Sequence, residues 1–453
     1  MIPFSPYFRF VGRLLPLVLF VACGRIVTPI YLQRANEHYK KGEWDAAIVE
    51  YTRAIELDAK SEKAYDGRGR AKYEKGDTDG AIADFNRAIA IKPGFSAPYF
   101  DRGKAKNKKG DREGAIADYD RMIDLDPNSV DGYTYRGYEK SEKGDMEGAS
   151  ADLTVAIKLR PDYAWPYAER GIIRARQKDD DGAIADFTRA IILDPAPNSY
   201  HYYSRGLALS RKGNVDAAIA HFTRAIEIWP NYGRAYSARG YERNRKDDFE
   251  GAISDCSMAI KLSPKDSSGY LRRGSAYAHQ GKFGQAILDD TVAISLVPRS
   301  SFAYFERGIV YYRQQDWMRA SLDFEKAEKL AKPREYAWLY GCIAQQREGN
   351  AEAGRASLRK RLSNRDPGDW YAKLAAFLLG DIDEAALLSS ARTSDEVKTR
   401  QQLCEAWYFA GTQRLAAGDN AKAEEAFKEC LATNEKSYIE YGMAASDLDS
   451  IRK

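Results

Sequence analysis

A spacing of 34 residues governs this chain from residue 42 onward. Gly42, Gly76, Gly110 and Gly144 mark it, and Lys178 takes the same place in "KDDDGAIADFTRAI". One extra residue in "DPAPNSY" shifts the frame, which resumes with Gly213, Asp247, Gly281, Gln315 and Gly349. Alanine follows most of these positions at a fixed distance (Ala47, Ala81, Ala115, Ala149, Ala183, Ala218, Ala252, Ala286, Ala320). Proline ends most units, among them Pro93, Pro127, Pro161, Pro230, Pro264 and Pro298. Proline suits the first turn of a helix and breaks its interior, so each unit reads as helix, tight turn, helix, break. Such a unit cannot bury its apolar face alone and must stack on its neighbours.

The first segment of each unit carries a tyrosine and, four residues on, a glycine: Tyr65 and Gly69, Tyr99 and Gly103, and so on to Tyr304 and Gly308. Glycine inside a helix costs about 1 kcal/mol relative to alanine, so close packing has to compensate for it. Arginine precedes each of these glycines (Arg68, Arg102, Arg136, Arg170, Arg205, Arg239, Arg273, Arg307). Aspartate recurs sixteen residues later, from Asp84 to Asp323, with His221 the one exception. Strict co-occurrence points to an Arg–Asp ladder between the two helices rather than a basic ligand stripe. Where His221 replaces aspartate the pairing weakens and Arg205 is freer.

This pattern resembles the tetratricopeptide repeat. The resemblance implies an all-α fold, a right-handed superhelical solenoid of about twelve helix–turn–helix units, nine regular ones over 31–333 and divergent ones over 334–453. The last segment, Tyr438 to Ile451, is expected to be a helix capping the open end of the stack.

The N-terminus is of another kind. Arg9 and Arg13 precede the apolar run "LLPLVLFVAC", which is too short to span a bilayer, a task for about 20 apolar residues, but suits an export signal over residues 1–22. Phe20-Val21-Ala22-Cys23 resembles a bacterial lipobox, with Phe20 departing from the usual leucine; the resemblance implies lipidation at Cys23 and a short tether over 23–30. The C-terminal "FLLGDIDEAAL", "CEAWYFAG" and "IEYGMAASDL" resemble NlpI-type bacterial outer-membrane lipoproteins, which implies the periplasmic side of the outer membrane. Periplasm or an inner-membrane anchor is the alternative location.

No HExxH, P-loop, GxSxG or CxxC motif occurs, and the four histidines have no metal-ligand spacing, so the chain reads as a non-enzyme with neither metal nor cofactor. A net charge of +4 over 453 residues gives no nucleic-acid tract. The expected function is a protein–protein scaffold in the cell envelope, organising peptidoglycan hydrolases or a protease; the alternative is a soluble or inner-membrane helper in secretion, chaperoning or complex assembly. Membrane contact runs through the lipid, and homodimerisation stays open. The repeat geometry of the family implies a concave partner groove lined by Phe100, Tyr138, Trp165, Arg176, Tyr200, Tyr203, Arg211, Tyr241, Arg245, Phe302, Phe305, Tyr312 and Arg313, able to stack apolar side chains and pair carboxylates of an extended peptide. Cys404 and Cys430 fall at the same end of the last hairpin, which permits either a disulfide or two buried thiols.

Overall fold

The computed structural model describes residues 27–194, 196, 198–330, 337–363, 365–436 and 438–452. The expected signal peptide and Cys23 lie outside the described residues; of the expected tether, residues 27–30 already belong to the first helix. Among the described residues there are twenty-five helices and no strand, forming twelve helix–turn–helix pairs and one last helix. They are numbered in chain order from α1 (27–40) and α2 (Trp44–Leu57) to α25 (Ile439–Ile451). None is long and apolar enough to cross a membrane. The chain divides into two compact units, residues 1–208 and 209–453.

Every hinge found in the sequence adopts the left-handed backbone region. Gly42, Gly76, Gly110, Gly144, Gly213, Gly281, Gly349, Gly380 and Gly418 lie at φ between 73° and 98°. Lys178, Asp247 and Gln315 take the same conformation at 65°, 62° and 64°, which costs a side-chain-bearing residue about 1 kcal/mol or more. In most hairpins the residue after the hinge then caps the next helix: Asp77 accepts from the Gly80 N–H and Asp111 from the Gly114 N–H, both at 2.9 Å.

The mid-helix glycine makes room for a ring. A Cβ on Gly69, in α3 (Glu62–Lys75), would stand 2.6 Å from the Phe85 ring of α4 (Thr78–Ile91). Gly103 faces Tyr119 in the same way at 2.7 Å and Gly308 faces Phe324 at 2.8 Å. Phe85, Tyr119 and Phe324 are fully buried, so each of these three hairpins is held by one aromatic ring lying where a side chain is missing; Leu153 and Cys256 take that place opposite Gly137 and Gly240.

The Arg–Asp ladder is present and does more than join the two helices of a unit. Arg68 donates through Nε and Nη2 to Asp84 at 2.8 and 2.7 Å, while its Nη1 reaches Thr52 of the preceding unit at 3.1 Å. Arg170 repeats this on Asp186 and Thr154, and Arg307 on Asp323 and Thr291. A second cation one turn on joins the same carboxylate, as Lys72 does on Asp84 at 2.7 Å. The tyrosine three residues before the arginine lies under its guanidinium wherever the arginine has its aspartate, with Arg68 5.5 Å from the Tyr65 ring centre. These arginines are therefore structural, and the repeated tyrosine is their platform.

In the second unit the C-terminal segment does not only close the end of the stack. Helix α25 packs on α24 (Asn420–Ala432) and α23 (Glu396–Ala416), then reaches back to α17 (Ser301–Arg313). Ser446 Oγ donates to the Arg313 carbonyl at 3.3 Å, and Gln315 donates to Ser450 Oγ at 3.0 Å. Met443, Ala444 and Leu448 share one buried cluster with Phe305, Tyr312 and Tyr408.

Candidate functional site

Successive first helices touch one another, as α3 does α5 (Ala97–Lys108) and α7 (Val130–Lys143) does α9 (Ala164–Arg176), so their side chains form a continuous inner face in each unit. In the first unit that face carries a run of half-buried aromatic rings. Phe100 meets Tyr135 edge-on at 4.8 Å, Tyr135 meets Trp165 at 4.7 Å, and Trp165 meets Tyr138 at 6.1 Å. Tyr119 lies beneath, tilted against both Phe100 and Tyr135. The structure thus brings together three of the predicted residues, Phe100, Tyr138 and Trp165, around Tyr135, which the sequence reading passed over. Tyr135 stands where the neighbouring units hold Asp101 and Glu169, and that substitution in register was the available signal.

Carboxylates surround these rings. Asp66 is almost fully buried, and burial, reinforced by Asp101 and opposed by Arg70, pushes its carboxyl up to about 7. Burial also raises Asp101 and Glu169, although the Trp165 indole donates to Glu169 at 2.9 Å. Glu139 has no exposed surface and neither oxygen has a hydrogen-bond donor; burial pushes it up to about 7 against the pull of Arg112, whose Nε is 3.7 Å away. The resident cations are spent on rings: Arg70 lies 4.9 Å from the Tyr39 centre and Lys108 4.7 Å from the Tyr73 centre. Arg176 is exposed, with Nη2 3.8 Å from Glu142. This face offers flat rings and carboxylates short of donors.

The remaining predicted residues divide. Tyr200 is exposed and Tyr203 half-buried, and Arg211 is exposed. Tyr241 is exposed between Arg245, at 6.0 Å, and Arg272, at 5.4 Å, and Phe302 is exposed. Phe305 and Tyr312 are not groove residues: Phe305 is buried against the Phe324 and Tyr340 rings, and Tyr312 under Tyr408 of α23 and Asp447 of α25. Arg313 is half-buried over the Phe283 ring at 5.0 Å, and burial lowers its basicity. Burial likewise pulls Arg205 down, and its Nε has no hydrogen-bond partner. Cys404 and Cys430 are both buried free thiols with sulfurs 3.5 Å apart, adjacent but unbonded. Among the described residues no group of three His, Cys, Asp or Glu side chains could hold a metal ion.

Hairpins of this length, glycine hinge and ring packing define a helical-repeat fold. Tetratricopeptide repeat models match residues 32–94, 97–129 and 199–232, so the chain carries tetratricopeptide repeats. Similar solved structures include a tetratricopeptide repeat protein from Parabacteroides merdae (19% identity, 55% of this chain and 98% of that one, TM-score 0.45). YrrB, described as having an unusual peptide-binding site, matches at 20% identity over 44% of this chain and 97% of its own, TM-score 0.37. MamA matches at 28% identity over 36% and 95%, TM-score 0.34.

Proposed function

We propose that this chain is a non-catalytic scaffold that holds an extended segment of a partner protein on the inner face of its first unit. The observation that carries this is the Phe100–Tyr135–Trp165–Tyr138 run, presented half-buried beside Asp66, Asp101, Glu139 and Glu169. Rings of this kind are enriched at binding hot spots. Because Glu139 lacks a donor on either oxygen and Asp66 on one, the segment that fits carries apolar side chains for the rings and basic side chains for the acids. The sequence reading had a carboxylate-bearing peptide paired by Arg176 and Arg211; the acids of this face favour the opposite sign. The apolar run ending at Cys23 supports export and a lipid tether, and with it a place in a bacterial envelope, where holding an enzyme near its substrate raises effective concentration to about the mM range.

Crosslinked pull-down from envelope extract, with mass spectrometry, is the test. The double variant Phe100→Ala with Trp165→Ala is expected to lose the captured partner while circular dichroism stays helical. Retention of the same partner by the folded variant would reject this face as the site. Metabolic labelling with palmitate of wild type against Cys23→Ser tests the tether separately.

A further inference from the structure

The outer layer of part of the second unit departs from a pattern that most other hairpins keep, with Val49 an exposed exception in the first hairpin. In the second helix of each hairpin three exposed positions recur four residues apart. From the first unit onward they hold an acid (Asp45, Asp79, Glu113, Glu147, Asp181, Asp216, Glu250), then mostly alanine (Ala83, Ala117, Ala151, Ala185, Ala220), then mostly arginine (Arg53, Arg87, Arg121, Arg189, Arg224). In α16 (Phe283–Leu296) they are Gly284, Leu288 and Val292; in α18 (Trp317–Leu330) they are Met318, Leu322 and Lys326. Leu288 is 68% exposed, Met318 60% and Leu322 58%. The only charged residues of α16, Asp289 and Asp290, are buried, so its solvent face carries no charge. On α14 (Phe249–Leu262) the third position has likewise become Met258, which is exposed. The repeat is its own control: every unit needs the same packing, so packing does not ask for these changes.

Charge says what the surface meets. The C-terminal ends of α14, α16 and α18 present exposed Lys261, Lys265, Arg299, Lys326 and Lys329, and among these Lys329 is paired, with Glu325. Beside Met258 a cavity of about 440 Å³ holds Arg239, Arg243 and Lys261 against the single carboxylate Asp255. A protein partner's site is characteristically enriched in aromatic residues, methionine and arginine at its core and depleted in lysine. Here the centre is leucine, methionine and valine, each side chain standing proud, and the rim is lysine. A fluid surface accepts separate protruding side chains without a matching concavity, and anionic headgroups answer the lysines. We infer that the outer face of α14, α16 and α18 is a peripheral docking surface for an anionic lipid bilayer. This does not depend on the partner-binding reading of the first unit or on lipidation.

Vesicle flotation of the full chain decides it, with neutral phosphatidylcholine and with about one-third phosphatidylglycerol, at low and high salt. Wild type is expected to float with the anionic vesicles and to be released by salt. Leu288→Asp with Met318→Asp and Leu322→Asp, all surface changes, should reduce partitioning by about tenfold or more with unchanged circular dichroism. Lys261→Glu with Lys326→Glu and Lys329→Glu should abolish the preference for anionic lipid. Equal flotation of wild type and both variants would assign binding to the N-terminal apolar run and overturn the inference. So would a wild type that ignores vesicles but self-associates on size exclusion, with the aspartate variant monomeric.

Discussion

Tyr312 donates a hydrogen bond to Asp447 at 3.4 Å across 135 residues of chain, joining the first helix of a regular repeat to the last helix of the protein. Tyr408 donates to the same tyrosine oxygen at 3.0 Å, and Arg347 lies 3.1 Å from Asp447. An aromatic that by register belongs to an open inner face is thereby part of a core.

That closure makes the last helix a structural element of the second unit. Met443→Ala, removing a fully buried side chain from the cluster around Phe305 and Tyr312, should cost about 3 kcal/mol. Urea unfolding followed by circular dichroism measures it, and limited proteolysis should cut first within 439–451. A loss under about 0.5 kcal/mol would mean that α25 docks too loosely to close this face.

Stability of the same region should fall with rising pH. Burial, reinforced by Glu440, pushes the Glu405 carboxyl from 4.5 up to about 9, and burial also raises Glu440. Trp370 donates to Glu405 and Tyr340 to Glu440. The native state keeps protons that the unfolded chain releases, so the penalty is absent below about pH 4.5, grows above it, and is complete once pH exceeds about 9. Glu405→Gln, which can still accept from Trp370, should flatten the profile and raise Tm by several degrees at pH 9 but little at pH 5. Thermal unfolding of both proteins at the two pH values checks the sign.

Three changes to or from glycine should act against simple helix propensity. Gly69→Ala gains about 1 kcal/mol of propensity, yet its Cβ would meet the buried Phe85 ring at 2.6 Å, so net destabilisation of about 1–3 kcal/mol is expected. Lys178→Gly and Gln315→Gly should each stabilise by about 1 kcal/mol, because both residues sit at left-handed φ on the solvent side of a hinge. Chemical denaturation of the three variants gives the signs directly.

Cys404 and Cys430 are poised for oxidation. A disulfide needs sulfurs about 2.05 Å apart, and these thiols stand at 3.5 Å, so a modest side-chain rotation closes the gap while two protons and two electrons pass to an added disulfide oxidant. The hydrogen bond with Cys404, and then burial, push the Cys430 thiol up, which makes the folded protein slow to react. Protein folded under oxidising conditions should show the bonded pair by alkylation and mass mapping, with up to about 3 kcal/mol added stability. Free thiols at both positions after such folding would end the proposal.

The repeat was legible in the sequence because it is local chemistry. A left-handed turn selects glycine, a close helix approach selects glycine again, and a carboxylate sixteen residues from an arginine finds it across one hairpin; each needs only residues within a single unit or its neighbour. The hinges at Lys178, Asp247 and Gln315 were found by register alone, although their residue types argue against the conformation they adopt. What lies far apart in sequence was not legible. No spacing rule says that Met443 and Leu448 cover Phe305 and Tyr312, because that contact depends on how the divergent hairpins between them turn the chain. Nor does register show that Glu139 keeps a buried carboxyl without donors, or that Tyr135 joins Phe100 to Trp165. The sequence by itself determined the unit and its stacking, since both follow from short-range sterics and periodicity. Tertiary structure alone decided which inner-face aromatics stay available to a partner and which become core, since availability is set by what else the chain folds against them.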